Sequence, residues 1–292
     1  AFYADPFTKG VAASRLEKLH GKEISFNNIL DIESALSLLR EFEERPCAVV
    51  IKHTNPCGIA CADNIYDAFI TAYNVDSLAA FGCVIGLNRE CDVATADEIS
   101  KHFVEIVMAP SFAPEALEIL TKKKNVRIMR TNEAVTLADA PTLKMKYVKG
   151  GMLVQSADNS QVTRDNLRVV TNRAPTEEEI KTLLFANRVV KHIWSNTVIL
   201  AKGERVVGIG AGQMSRVDSS FIAGHKAGED AKGSVMASDA FFPFRDGVDE
   251  AAKVGATAII QPGGSIRDEE VIQAANEHNM AMVFTGTRVF RH

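Results

Sequence analysis

The β-branched, uncharged run Ala48-Val49-Val50-Ile51 breaks abruptly into Lys52-His53-Thr54-Asn55-Pro56-Cys57-Gly58. Such a run reads as a buried strand, and residues Ile59 to Tyr73 behind it read as a helix. Pro56 cannot donate to a sheet ladder and is expected to close the strand, while Gly58 frees the turn into the helix. A cation and an imidazole thereby stand at the exit of a buried strand. In open α/β sheets ligands bind in the crevice outside the carboxyl ends of the strands, where Lys52 and His53 would fall. The plainer reading, a solvated lysine beside a hydrogen-bonded histidine, carries about equal weight on these residues alone. In a regular strand neighbours point to opposite faces, so both can address one substrate only if the strand already bends at Lys52.

The pattern around this stretch is strand alternating with helix. Ile32, Ala35, Leu36, Leu38, Leu39 and Phe42 recur at helical spacing, Asp63 or Asn64 can cap a helix, and Cys83–Leu87, Val104–Met108 and Val126–Met129 read as strands. Pro114 sits at a helix start. The alternation predicts an α/β fold with a mainly parallel sheet covered on both faces. From about Ala140 to Arg173 the pattern loosens around Pro141, Gly150-Gly151 and the polar stretch Ser156 to Thr163, with a β-like piece from Lys146 to Gln155. It resumes at the capping box Thr176-Glu177-Glu178-Glu179, passes through a hairpin at Lys202-Gly203-Glu204, and ends on the strand Met280 to Thr285. Two regions follow, 1–140 and 141–292, of similar size and without a visible sequence repeat.

Composition removes several classes of function. Lys plus Arg count 33 against 37 for Asp plus Glu, a net charge of -4, so neither a nucleic-acid nor a membrane-surface partner is expected. No apolar run approaches the ~20 residues of a membrane span, and a cytoplasmic location is expected. Five cysteines, Cys47, Cys57, Cys61, Cys83 and Cys91, suit reduced thiols in a core rather than a disulfide framework. The opening Ala1-Phe2-Tyr3-Ala4-Asp5-Pro6 carries no initiator methionine and reads as the inside of a longer polypeptide.

Three further stretches could carry chemistry. Val207-Gly208-Ile209-Gly210-Ala211-Gly212-Gln213-Met214-Ser215-Arg216 offers closely spaced backbone N–H groups, a helix start and an arginine, a combination suited to a phosphate, although a tight hairpin-to-helix turn explains it equally. Ser238-Asp239-Ala240-Phe241-Phe242-Pro243-Phe244-Arg245-Asp246 could stack a flat heteroaromatic ring or pack at an interface. Gln261-Pro262-Gly263-Gly264-Ser265-Ile266-Arg267-Asp268 is another strand exit with an arginine. A zinc deaminase would show H-x-E and P-C-x-x-C; here Asn55 replaces the glutamate and Cys57 and Cys61 are one residue too far apart, so zinc is not expected.

Lys52 to Gly58, Ser238 to Phe244, Gln261 to Asp268 and the terminal Phe290-Arg291-His292 together resemble the AICAR transformylase domain of the bifunctional purine-biosynthesis enzymes. The resemblance spans the chain. It implies two intertwined cytidine-deaminase-like α/β/α subdomains without zinc, a homodimer with shared active sites, and no counterpart here of the amino-terminal IMP cyclohydrolase domain or of the R-Y-G-x-N-P-H-Q segment expected before Ala1. The implied reaction moves a formyl group from 10-formyltetrahydrofolate to the 5-amino group of AICAR, giving FAICAR and tetrahydrofolate.

By position in the family's motifs, Lys52 and His53 are the implied catalytic pair. His53 suits a general base because imidazole titrates near pH ~6.5, and Lys52 suits an oxyanion or the departing folate nitrogen. Asn28, Phe81, Gly82, Asn196, Arg216, Phe241, Pro243, Arg288 and His292 are implied substrate contacts, with Arg216 and Arg288 for the phosphate and Asn196 for the carboxamide; Glu105 stands where some relatives carry aspartate. A monovalent cation, potassium, is implied on Val189, Ile193, Ser195, Thr197, Asp239 and Val289. The competing readings are a nucleotide deaminase, which stoichiometric zinc would favour, and a nucleotide-binding or dimerisation module that binds AICAR without turning it over.

Overall fold

The computed structural model describes residues 2–292; Ala1, where the reading of the chain's opening begins, lies outside them. The chain forms β1 (Glu17–His20), α1 (Phe26–Leu39), β2 (Cys47–Lys52), β3 (Asn55–Cys61), α2 (Ile65–Asn74), β4 (Cys83–Leu87), α3 (Val93–Ser100), β5 (Val104–Ala109), α4 (Pro114–Thr121) and β6 (Arg127–Arg130). A separate hairpin follows, β7 (Leu143–Val148) and β8 (Gly151–Ser156). Then come β9 (Arg168–Val169), α5 (Glu177–Val190), β10 (Val198–Lys202), β11 (Arg205–Gly210), α6 (Arg216–Ala227), β12 (Val235–Ser238), α7 (Asp246–Lys253), β13 (Ala258–Gln261), α8 (Asp268–Glu277) and β14 (Ala281–Phe284).

Outside β7 and β8 all strands join one twelve-stranded sheet in the order β1-β6-β5-β4-β2-β3-β11-β10-β12-β13-β14-β9. The order reads as a palindrome about the β3–β11 junction. Strand for strand and helix for helix, the series from β1 to β6 is repeated from β9 to β14, although no sequence repeat announces it. The runs β4-β5-β6 and β12-β13-β14 are parallel and the other neighbours antiparallel, so the expected mainly parallel sheet is corrected to a mixed one. Each half contains a hairpin, β2–β3 or β10–β11, and a hairpin can only pair antiparallel.

Helices lie on both faces, which explains why the strands read as continuous apolar runs rather than alternating ones. In β2, Cys47, Val49 and Ile51 face a core shared by α1 and α5, while Ala48 and Val50 face α2, α3 and α4. Along β10, Ile199 and Ala201 join the same shared core, and Val198 and Leu200 face α6, α7 and α8. The core common to α1 and α5 runs through both halves. All five cysteines are buried free thiols, as expected. Among the described residues no helix is long and apolar enough to cross a membrane.

The helix starts follow local chemistry. Ser25 and Asn28 cap α1 reciprocally, Asn64 caps α2, Pro114 occupies the first turn of α4, and Thr176 with Glu179 forms the expected box on α5.

Candidate active site

The opening stretch is a hairpin, not a strand running into a helix. β2 pairs with β3 from Cys47↔Cys61 to Lys52↔Asn55, leaving His53 and Thr54 as a two-residue turn. The reading of Ile59 onward as helix is corrected: Ile59 to Cys61 belong to β3, and α2 starts after Asn64. Pro56 does not end a strand; it sits in β3 opposite Ile51, beside the register shift between Val50 and Ile51, where no ladder donor is required of it.

A type I′ two-residue hairpin turn needs positive φ at both central residues, and Asn-Gly is the usual solution. Here His53 takes φ 52° and Thr54 φ 63°. The left-handed region costs an ordinary residue on the order of 1–2 kcal/mol, and a β-branched threonine is a worse occupant than most. The turn lets adjacent side chains serve one space: Lys52 ends the strand, His53 is already in the turn, and both line the same cleft.

That cleft, of about 320 Å³, lies between the two hairpins. β3 and β11 pair at Ala60↔Arg205, where Cys61 N–H also donates to the Glu204 carbonyl, and diverge towards Asn55 and Gly210. Lys52, His53 and Cys57 line one wall, Ile209 and Gln213 the other, and an ion pair between Lys226 and Asp76 stands across it. Burial pushes the Cys57 thiol up to about 11, which keeps it neutral there. Lys52 Nζ donates to the Phe81 carbonyl, which ties it to the implied contacts Phe81 and Gly82; Gly82 adopts φ 75°, and the Phe81 ring is exposed and rests 4.8 Å from Phe103.

A second cavity, of about 370 Å³, is lined by Asn196, Arg216, Phe241, Pro243, Arg288 and Phe290 among others. It adjoins the cleft, because Asn196 and Gln213 exchange two backbone hydrogen bonds of 3.1 Å, Asn196 belonging to one space and Gln213 to the other. Arg288 is exposed, its guanidinium 5.9 Å from the Phe290 ring centre, and His292 lies 5.3 Å from the same ring. Arg216 is turned inward instead. Its guanidinium reaches Ser238 Oγ (3.2 Å), the Asp239 carboxylate and Asn196 Oδ1 (2.9 Å), so it braces Asn196. Asn28 stands in the first turn of α1 with its side chain in the cap, and Glu105 pairs with Arg127 at 2.7 Å on β5, away from both spaces.

The glycines of β11 have a packing cause. A Cβ on Gly208 would meet the Ala223 carbonyl at 2.1 Å, and one on Gly210 the Ser219 carbonyl at 1.9 Å, so both let α6 lie directly on the strand. These two glycines are thereby accounted for by packing, and the turn at Gly212, with φ 67° and open space around it, is separate from them. At the third strand exit, Gln261 is buried and accepts from Phe242 N–H at 3.0 Å, fixing the loop that carries Phe241 and Pro243.

Ser195, Thr197, Asp239 and Val289 come together in one cluster. Asp239, fully buried, accepts from Ser195 Oγ and Arg216; its N–H donates to the Thr197 carbonyl (3.3 Å), and its carbonyl accepts from Val289 N–H (3.0 Å). Thr197 Oγ1 is buried without a hydrogen-bond partner, the kind of orphaned oxygen a hard cation takes up. Val189 and Ile193, also buried, lie at and just beyond the end of α5 that leads into this cluster. Among the described residues there is no group of three or more His, Cys, Asp or Glu side chains able to hold a metal.

The sequence model of a family described as AICARFT/IMPCHase bienzyme matches residues 1–226. The chain belongs to that family. Members of the AICARFT/IMPCHase family similar to it include the bifunctional purine biosynthesis proteins PurH of Acetivibrio thermocellus (50% identical over 291 residues), Magnetococcus marinus (51% over 304) and Thermoanaerobacter sp. (52% over 292). Each alignment takes in 100% of this chain but only 56% or 57% of the relative, so the chain spans little more than half the length of these family members.

Two residues that adjoin the site were not singled out by sequence reasoning. Asp31 and Trp194 both bond the His53–Thr54 turn. Trp194 is the single tryptophan of the chain, the one signal that could have drawn attention to it.

Proposed function

We propose that this chain transfers the formyl group of 10-formyltetrahydrofolate to the 5-amino group of AICAR, in the purine biosynthesis to which its relatives' names refer. The observation that carries the reading is the convergence of Lys52 and His53 on one cleft adjoining the Asn196 cavity. That amine is conjugated with the imidazole ring and its carboxamide and is a weak nucleophile. As its nitrogen attacks the formyl carbon, His53 takes a proton from it; the C–N10 bond of the folate breaks, and N10 leaves with a proton delivered from the Lys52 side. One C–N bond is made and one broken, and the net proton moves from amine to N10. A pair of this kind is typically worth ~10²–10⁴-fold in rate.

In this reading Asn196, held by Arg216, meets the carboxamide, Arg288 at the open rim meets the phosphate, and Phe241 with Pro243 walls the ring. Potassium, if held by Asp239, Ser195, Thr197 and nearby carbonyls, neutralises buried oxygens and is structural. A homodimer is supported by β7 and β8: Leu143, Met145, Tyr147, Met152 and Val154 share one face of this hairpin by register, and all five are exposed.

The test is turnover of AICAR with 10-formyltetrahydrofolate by the protein and by its His53→Ala and Lys52→Ala variants. Loss of at least ~10²-fold in each is expected. Equal turnover in protein and variants would sink the mechanism, and binding of AICAR without any turnover would leave a binding module.

A further inference from the structure

We infer that Asp31 and Trp194 are positioning residues which together impose the left-handed His53–Thr54 turn, and so the shared aim of Lys52 and His53. The inference rests on the formyl-transfer reading above for its consequence, but not for its geometry. Two consecutive non-glycine residues with positive φ persist only where their surroundings over-determine them. Here they do so from two sides. Asp31 Oδ1, on α1, accepts from Thr54 N–H at 2.7 Å. Trp194, in the segment before β10, donates from Nε1 to Thr54 Oγ1 at 2.7 Å and from its backbone N–H to Asn55 Oδ1 at 3.2 Å. Thr54 Oγ1 in turn donates to the His53 carbonyl at 2.6 Å. Both the amide and the hydroxyl of the turn's second residue are thus engaged by other elements.

The indole is itself fixed. The Arg291 guanidinium lies 5.2 Å from its ring centre, and the Trp194 carbonyl accepts from Gly212 N–H at 2.8 Å. The carboxylate of Asp31 is half-buried; burial raises its titration, while the Thr54 amide and the nearby His53 pull it the other way.

The second hairpin of the same molecule is the internal control. In the equivalent turn between β10 and β11, Lys202↔Arg205 corresponds to Lys52↔Asn55, and Gly203 rather than histidine takes the positive φ (54°). That tip is pinned by a side chain from the other half too, Arg45 to Glu204 at 2.5 Å. Where a side chain is not required to project from the turn, the chain uses glycine; where Lys52 and His53 must converge, it uses a strained turn and two restraints.

The experiment compares Trp194→Phe, which keeps the ring and removes the donor, Asp31→Ala, and Asp31→Asn, which keeps the acceptor oxygen, with the unaltered chain. Measured are kcat and KM for AICAR, the thermal midpoint, and hydrogen exchange at the Thr54 amide. Expected are a fall in kcat of roughly 10–100-fold for Trp194→Phe and Asp31→Ala with KM for AICAR within about threefold, faster Thr54 exchange in Asp31→Ala, and recovery of most of kcat in Asp31→Asn. Unchanged kcat and unchanged Thr54 exchange, in folded variants of a protein that His53→Ala inactivates, would overturn the inference. If the unaltered chain shows no formyl transfer at all, it is the functional reading that has failed, and Thr54 exchange alone decides the restraint.

Discussion

Gly58 and Gly208 occupy the same place in the two hairpins, and each is pressed against a helix backbone. Gly58 pairs with Val50 and Gly208 with Leu200; a Cβ would meet the Ala72 carbonyl at 1.9 Å in one and the Ala223 carbonyl at 2.1 Å in the other. The repeated register shift just beyond each pair, at Val50/Ile51 and Leu200/Ala201, shows the two hairpins to be the same device.

Gly58→Ala and Gly208→Ala should therefore destabilise similarly and strongly, by more than ~3 kcal/mol, since a helix carbonyl and not a flexible side chain is in the way. Gly150→Ala, with open space around it but φ 92°, should cost about 1 kcal/mol. Denaturant midpoints of the three variants check this; equal losses would refute the close-approach explanation.

The buried pair of Arg216 and Asp239 supports Asn196 and the Thr197 cluster at once. Arg216→Met strands a buried carboxylate and should cost about 3–5 kcal/mol, measured by chemical unfolding. On the proposed potassium site, the thermal midpoint should be higher in potassium chloride than in choline chloride of equal strength. Asp239→Asn should erase that difference.

Acid sensitivity should be concentrated in the cluster joining α1 to the end of α5. Glu41, buried, lies 2.7 Å from Lys191 Nζ and 2.9 Å from His192 Nε2, and accepts from Gln161 Nε2 at 3.0 Å. Burial raises its carboxyl, but the hydrogen bonds and charges of His192 and Lys191 outweigh burial and hold it at about 2, below the ordinary 4.5. A depressed carboxyl contributes stability that is present above pH 4.5 and lost as pH falls through about 2; between those limits this amounts to about 3 kcal/mol. For His192 burial lowers the titration and prevails over the pull of Glu41, so the neutral ring is favoured and stability is also lost below its ordinary 6.5. Unfolding free energies at pH 7, 5 and 3.5 should decline throughout, and Glu41→Gln should flatten the decline below pH 4.5.

The apolar face of the β7–β8 hairpin should control assembly. Met145 and Val154 face each other across it and are 60% and 55% exposed. Met145→Glu with Val154→Glu should shift sedimentation towards a smaller species without lowering the thermal midpoint of that species. An unchanged sedimentation coefficient would remove this face from the proposed interface.

Much of the frame was legible before the fold. Pro114, Thr176 with Glu179, and the strand runs from Cys83 to Met129 acted within a few residues, and the structure keeps them. The hairpin at Lys202-Gly203-Glu204 was readable because glycine advertises its turn. Its counterpart at His53-Thr54 was not, because neither residue favours positive φ and nothing local requires it.

The sequence by itself determined that Lys52 and His53 stand where a buried strand ends, that the thiols belong to a core, and that strand and helix alternate, since propensity, periodicity and capping act over short spans. Only the tertiary structure decided the bend that aims the pair. The partners that impose it are 23 residues away at Asp31 and 140 away at Trp194, and contacts over such separations leave no mark in local spacing. The same holds for the palindromic sheet: pairing direction follows from which edges meet, and Gly58 and Gly208 are explained only by the helices that lie upon them.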